Sequence, residues 1–288
     1  MTDSEQSAAA NTPLSGSWNL VRQELDRMED WERAEVTDAM QQDPDLVYAE
    51  SHPSRFLAYT NHNVRAAAVA LAQYWKRRYE IFQERALLPL TLQGGAMKPE
   101  DLDFMKTGMF TLLPPDADGC TVFCFDTSRR IQHDPHIRLR CCFYYGQWIA
   151  EKPLSQTKGY VALLIMSEPR YDEHTPVVMN TFMRSFPNKP KAMHIFECLP
   201  RGAPWTNRLR VKTAIGLVKW LFRDILVIHH HEKQKDQLMK LLLEHHGIDR
   251  DGVPVCLGGQ WSYFHFPGVL YDRVEEESRR SVSPLMRE

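Results

Sequence analysis

Two groups of histidines in this sequence are the first candidates for a metal-binding site. They occur in two runs, His229 to His231 and His245 to His246, and the imidazole nitrogen is a frequent zinc ligand. The first run is consecutive and ends a predicted strand, where neighbouring side chains point to opposite faces of the sheet. Three such side chains are poorly placed to bind one ion, so we expect no metal site.

A second candidate for chemistry is the polar run from Asp126 to Arg130, which follows a predicted strand. It is not accompanied by a nucleophile elbow, a glycine-rich phosphate loop or a His-Glu-x-x-His sequence. A turn in which Asp126 caps the next helical segment explains it better. The sequence therefore predicts a protein that is not an enzyme and needs no cofactor.

Basic side chains in a predicted helix, Thr206 to Phe222, form the third candidate. At about 100° per residue, one side of this helix carries a basic stripe of Arg208, Lys212, Lys219 and Arg223. The opposite side carries Ala214, Leu217, Val218 and Leu221. Charges recur too often for a membrane span, which needs about 20 apolar residues, but the helix could lie on a membrane. An ordinary surface helix with its apolar side on the core is the alternative.

The elements that position these residues alternate along the chain. Apolar runs predict strands at 120–126, 159–166, 193–196 and 225–228, and amphipathic segments predict helices at 134–148, 174–186, 206–222 and 232–246. This alternation is typical of a parallel sheet covered by helices. The predicted fold class is α/β, with a mixed, mostly parallel sheet flanked by helices and a small all-helical unit before it.

Composition limits the function further. The 288 residues have a net charge of −2 and a pI near 6.6, which argues against a nucleic-acid partner. The amino terminus lacks the basic-then-apolar order of a targeting peptide, so we expect a cytoplasmic protein. None of the six cysteines forms a Cys-x-x-Cys pair, and we expect reduced thiols.

Three short motifs resemble one known family. They are Arg55-Phe56-Leu57-Ala58, the helix with Asn63 before it and Tyr74-Trp75-x-x-Arg78 near its end, and the closing sequence Val253-Pro254-Val255-Cys256-Leu257-Gly258-Gly259. Together with the order of strands and helices, these motifs resemble the CRAL-TRIO lipid-binding family over residues 52 to 265. The small, polar, Ala/Ser-rich composition of residues 1–15 predicts a disordered leader, and the charged, Ser-rich composition of residues 269–288 predicts a flexible tail. Between them, the resemblance implies a helical unit at 16–92 and a lipid-binding domain at 93–268.

The resemblance also implies a lipid pocket above the sheet, closed by a mobile helix in the position of Thr206 to Phe222. The residues expected to line it are Phe123, Phe125, Tyr145, Trp148, Leu163, Ile165, Phe182, Ala214, Leu217, Val218 and Leu221. For the strand residues, an ordinary core position is the alternative. The residues expected to contact a headgroup or a membrane are Lys189, Lys191, Arg208, Lys212 and Lys219.

The chain departs from the family where members recognise phosphatidylinositol. Asn188 stands where an acidic residue is expected, and the later lysine is replaced by Asp224, or by Arg223 if the alignment shifts by one residue. We therefore expect that another lipid is preferred, or that phosphatidylinositol is bound by a different set of residues. The predicted function is to bind a hydrophobic lipid and to transfer or present it between membranes, as a monomer that contacts membranes transiently. The alternative is an interaction or membrane-recruitment module with a vestigial pocket.

Overall fold

A five-stranded sheet lies at the centre of the computed structural model, which describes residues 12–131, 133–167, 185–199, 202–221, 225–230 and 235–282. Its strands are β1 (Phe110–Leu113), β2 (Val122–Asp126), β3 (Tyr160–Met166), β4 (Pro190–Glu197) and β5 (Leu226–His230). They lie side by side in chain order, with β1 antiparallel to β2 and every other neighbouring pair parallel. The predicted α/β class with a mostly parallel sheet is confirmed.

Helices precede, connect and follow the strands. They are α1 (Thr12–Asp26), α2 (Asp30–Gln42), α3 (Pro44–Glu50), α4 (Pro53–Tyr59), α5 (Val64–Phe82), α6 (Pro99–Met105), α7 (Pro135–Ala150), α8 (Pro153–Thr157), α9 (Trp205–Leu221), α10 (Lys235–His246) and α11 (Phe266–Val282). Asn63 caps α5 as predicted, because its side chain accepts a hydrogen bond from the backbone N–H of Ala66 at 3.0 Å. The amino-terminal helical region is confirmed.

The motif residues of α5 hold this helical region against the rest of the molecule. Arg78 is fully buried; it pairs with Glu50 and donates to the carbonyl oxygens of Ala86 and Leu88 at 2.7 and 2.8 Å. Tyr74 donates to Gln147 of α7 at 3.1 Å. A buried guanidinium requires this many partners because removing it from water costs several kcal/mol. The motif therefore has a structural role.

The two faces of the sheet have different neighbours. Phe110 and Phe123 contact the ring of Tyr145 on α7, at 5.9 and 6.0 Å between centroids, and we call this side the α7 face. On the other side, Cys124 lies 3.9 Å from the hydroxyl of Tyr263, and His194 contacts His246 of α10. We call that side the α10 face.

Four short elements were not predicted. Strand β1 has four residues, helices α3 and α6 have seven each, and α8 has five. Segments of this length carry too few periods for a pattern to emerge. The predicted helix at 174–186 falls largely on residues 168–184, which lie outside the described residues. Ser185 and Phe186 are described and form a bend.

The predicted flexible tail at 269–288 is wrong for residues 269–282. These belong to α11, where Leu270, Arg273 and Glu277 are buried. Arg273 donates to Tyr144 at 3.0 Å and to Glu277 at 2.9 Å. These contacts bury the charges of Arg273 and Glu277, which in the sequence suggested a solvated tail. They also hold the helix against α7. At the other end, α1 begins at Thr12, inside the predicted leader, and residues 1–11 are not among those described.

Candidate lipid and membrane site

An aromatic cluster covers the α7 face at β1 and β2. Tyr145 stacks on Trp148 with 5.8 Å between ring centroids, and Phe125 stacks on Phe110 at 5.2 Å. The structure therefore brings together four of the predicted lining residues, since Phe123 contacts Tyr145 as well. Trp148 has a second neighbour, because the guanidinium of Arg273 lies 5.1 Å from the centre of its ring. Its packing connects the cluster to α11.

Tyr145 carries an unsatisfied polar group into this cluster. The residue is fully buried, and its hydroxyl has no hydrogen-bond partner among the described residues. Burial also raises the pKa of Tyr145 well above its ordinary value, so the hydroxyl keeps its proton and remains a donor. An unpaired buried hydroxyl costs about 1–3 kcal/mol. An acceptor on a bound molecule would remove that cost.

Leu163 and Ile165 do not join this cluster, and the prediction that they line the same pocket as Phe123 and Phe125 is wrong. The strand register places Leu163 beside Cys124 and Ile165 beside Asp126, so both lie on the α10 face. Both are buried there. Because β3 is covered on both sides, its apolar run from Tyr160 to Met166 lacks the alternation that would reveal which residues face α7.

Helix α9 lies between β4 and β5 in the chain, and its bounds are close to those predicted, Thr206 to Phe222. Parallel strands in one sheet are joined by right-handed crossovers. The strand order follows the chain, so the same rule puts the crossovers containing α7 and α9 over one face. The apolar residues of β3, β4 and β5 on the α7 face are Leu164, Met193, Ile195, Leu226 and Ile228, as given by their register with Phe123 and Phe125.

The surface of α9 has three adjacent stripes, whereas the sequence suggested two opposite faces. Val211 and Ile215 are buried. Next to them run the exposed basic residues Arg208, Lys212 and Lys219. Beyond that stripe come Trp205 and Leu209, which are 74% and 55% exposed. The side away from the core is therefore apolar and bordered by cations.

Trp205 and Leu209 were missed as candidates because the sequence assigns apolar side chains to the core by default. Their spacing of four residues was a usable signal, since it puts both on one side of a helix. Five residues predicted to line the pocket have side chains outside the described residues: Phe182, Ala214, Leu217, Val218 and Leu221. Their predicted role stays a prediction.

Lys189 and Lys191 lie at the amino end of β4 and have protein partners. The ammonium of Lys189 is 3.3 Å from the side-chain oxygen of Asn61 and 5.4 Å from the ring centre of Tyr59. Lys191 lies 3.5 Å from Asp116. Arg208 follows the opposite end of β4, so the structure does not place these lysines beside it. Among the predicted headgroup residues, Arg208 is thus separated from Lys189 and Lys191.

Asn188, which replaces an acidic residue of the family pattern, is also committed to the protein. Its amide nitrogen donates to the carbonyl oxygen of Gly146 at 3.0 Å, and the residue is buried. Asp224 lies outside the described residues. At Asp224, the expectation that phosphatidylinositol is not preferred therefore stays a prediction. At Asn188, the residue that departs from the family pattern makes a buried structural contact.

The closing motif shapes the backbone. Gly258 has a φ of +98°, which favours glycine. A Cβ at Gly259 would lie 1.9 Å from the carbonyl oxygen of Val253, and the N–H of Gly259 donates to the carbonyl oxygen of Pro254 at 3.3 Å. Both glycines are required by a tight turn that places Leu257 in the core.

Two of the surface grooves bounded by described residues lie away from the aromatic cluster. A groove of about 590 Å³ separates α6 from α11, and one of about 370 Å³ lies among α1, α2 and α3. Neither is lined by a predicted lipid contact. Within the described part of the chain, no group of three histidine, cysteine or acidic residues could hold a metal ion, and no helix is long and apolar enough to cross a membrane.

No protein-family model matches this chain, and no curated protein matches its sequence. The likeness to the CRAL-TRIO family rests on the motifs quoted above, whose residues hold the fold. It remains a hypothesis.

Proposed function

We propose that the protein binds a hydrophobic lipid beneath α9 and presents or transfers it at an anionic membrane surface, without catalysing a reaction. The observation that carries the proposal is the exposed apolar stripe of α9. Trp205 and Leu209 are turned to solvent beside Arg208, Lys212 and Lys219. This combination is typical of helices that lie in a membrane interface.

Both the hydrophobic and the electrostatic contributions to the free energy favour docking of α9 on a membrane. Burying the two apolar side chains in a bilayer removes an unfavourable contact with water, and tryptophan is enriched at the membrane interface. Each basic residue near an anionic surface adds about 1 kcal/mol. The two contributions act on the same side of one helix, so a single orientation uses both.

The lipid part of the proposal is supported by the α7 face of the sheet. The residues of β4 and β5 on this face are apolar, and the aromatic cluster on the same face contains the unsatisfied hydroxyl of Tyr145. A ligand with a long apolar part and a hydrogen-bond acceptor matches this surface, because lipid tails need apolar contact and few polar groups.

Co-sedimentation with vesicles tests the docking step. We expect the double substitution Trp205→Ala with Leu209→Ala to weaken binding to anionic vesicles at least tenfold. Trp31→Ala is the matched control, since Trp31 is 68% exposed on α2. Equal binding by the double variant and the wild type would refute docking through α9.

Native mass spectrometry of the purified protein separates the two functions that the sequence left open. A lipid carrier should show an added mass that organic extraction identifies as lipid. Bare polypeptide that still binds vesicles through α9 would instead favour a membrane-recruitment module with a vestigial pocket. For a carrier, Tyr145→Phe should lower the bound fraction without changing vesicle binding.

A further inference from the structure

Three histidines meet on the α10 face, where no lipid is proposed. The Nδ1 atom of His194 on β4 is 3.0 Å from the Nε2 atom of His229 on β5. The ring of His246, near the end of α10, lies 4.6 Å from that of His194. We call His194, His229 and His246 the histidine cluster. It joins two neighbouring strands to the helix that covers them.

The contact between His194 and His229 restricts where protons can be. One nitrogen must donate and the other must accept, so the two facing nitrogens share a single proton. His194 is fully buried, and its Nε2 atom has no hydrogen-bond partner among the described residues; the same holds for Nδ1 of His246. A second proton on the pair would set two donors against each other.

Burial and two neighbouring groups oppose an added proton on His246. Lys191 and His245 act on His246 in that direction, and Asp116 is the nearby acid that acts against them. The Oδ1 atom of Asp116 accepts hydrogen bonds from the N–H groups of Asp118 and Cys120, and its Oδ2 atom lies 3.5 Å from the ammonium of Lys191. Burial, followed by the neighbouring His246 and His229, lowers the pKa of His194 to about 3.

The position of the cluster gives it a mechanical consequence. Strands β4 and β5 are the two that α9 connects, and β5 forms the edge of the sheet. The ring of His229 also stacks on Phe196 of β4 at 4.9 Å. Separating β5 from β4 would therefore release the carboxyl end of α9 from the sheet.

We propose that the histidine cluster is a proton-sensitive clamp, which holds β5 and α9 against the sheet at neutral pH and loosens them in mild acid. The physiological use rests on the proposed membrane function, because the surface potential of an anionic membrane concentrates protons close to it. Docking would then favour loosening of the helix that covers the lipid.

The direction follows from linkage. A histidine that is neutral in the closed state and titrates normally in the open state binds more protons when open, so opening is favoured as pH falls below about 6.5. For one such histidine, lowering the pH from 7.5 to 5.5 raises the opening equilibrium about tenfold. At pH 7.5 and above, protonation adds almost nothing to the opening equilibrium.

Amide hydrogen exchange of the full chain, without vesicles, tests the clamp. Peptides from β5 and α9 should exchange about tenfold faster at pH 5.5 than at pH 7.5, after correction for the intrinsic rate at each pH. His194→Leu should abolish this response, and His136→Gln, which changes an exposed histidine, should preserve it. An equal rate at both pH values, or a response that persists in His194→Leu, would overturn the proposal.

Nuclear magnetic resonance of the wild-type imidazoles keeps the test decisive if His194→Leu does not fold. The ring of His194 should remain neutral at pH 5.5 in the closed state. Protonation with an ordinary midpoint near pH 6.5 and no change at β5 would contradict the clamp. Since neither measurement involves a membrane, failure of the clamp and failure of vesicle docking are separate results.

Discussion

The buried guanidinium groups of Arg78 on α5 and Arg273 on α11 are satisfied by their partners, whereas the packing around β4, β5 and α10 leaves buried ring nitrogens unsatisfied. In the first region, Arg78 is matched by Glu50 and two backbone carbonyls, and Arg273 is matched by Tyr144, Glu151 and Glu277. In the second, ring nitrogens of His194 and His246 lack partners among the described residues.

This difference separates a rigid support from a part suited to movement. Breaking a satisfied buried ion pair exposes an uncompensated charge and costs several kcal/mol, so the first region should open rarely. Unsatisfied groups lose little when water enters, and the low-stability parts of a protein are the ones that open. The contrast places the proposed lipid-handling helix α9 next to the part that can loosen.

The largest effect should follow from breaking the support at Arg78. Arg78→Met leaves Glu50 without its cation in a nearly buried site, and we expect unfolding to become easier by about 3–5 kcal/mol. The midpoint of urea denaturation measures the change. Arg279→Ala is the control, because its pair with Glu275 is exposed and worth less than about 1 kcal/mol. A loss below about 1 kcal/mol for Arg78→Met would show that the network is not needed.

A smaller loss is expected at the other end of the support. Arg273→Met removes the cation shared by Glu151 and Glu277, and we expect a cost of about 3 kcal/mol. Because α11 is terminal, part of the cost should appear as local opening, with faster amide exchange in α11 than in β2 or β3. If α11 keeps its protection in this variant, Arg273 does not anchor it.

The smallest of these effects concerns binding alone. Reversing Lys212 and Lys219 to Glu should weaken docking on anionic vesicles at least tenfold at low salt, and leave the denaturation midpoint nearly unchanged because both side chains are exposed. High salt should reduce the difference, since exposed charges are screened.

Lys106 and Lys240 are the matched pair for this experiment. Both are exposed, and their reversal to Glu changes the net charge by the same amount away from α9. If that control weakens docking equally, the effect reflects overall charge, and the basic stripe has no special role.

The order of elements in the α/β region was predictable because its strands are apolar runs and its helices are amphipathic segments, and both patterns are visible in the sequence. Strands β2 to β5 and helix α9 lie close to their predicted ranges. It was harder to predict on which face of the sheet each side chain lies. Leu163 and Ile165 lie in a run of apolar residues that is buried on both sides. The sequence therefore has no alternation of polar and apolar residues to show which face each side chain is on.

Charge was the second source of error. The segment with Arg273 and Glu277 resembles a solvated tail because its partners outside α11 are distant in sequence: Glu151, the hydroxyl of Tyr144 and the backbone N–H of Leu92. The histidine cluster was hidden for the same reason. His194, His229 and His246 come from three separate elements, and the consecutive histidines distracted from the pairing across β4 and β5.

Transfer of a fluorescent phospholipid between two vesicle populations tests the central claim most directly. We expect the wild-type protein to accelerate transfer to anionic acceptor vesicles, Trp205→Ala with Leu209→Ala to slow that transfer at least tenfold, and Trp31→Ala to behave as the wild type. If the wild-type protein adds nothing to the spontaneous rate, or if the double variant transfers lipid equally fast, the account of α9 as the lipid-handling helix is contradicted.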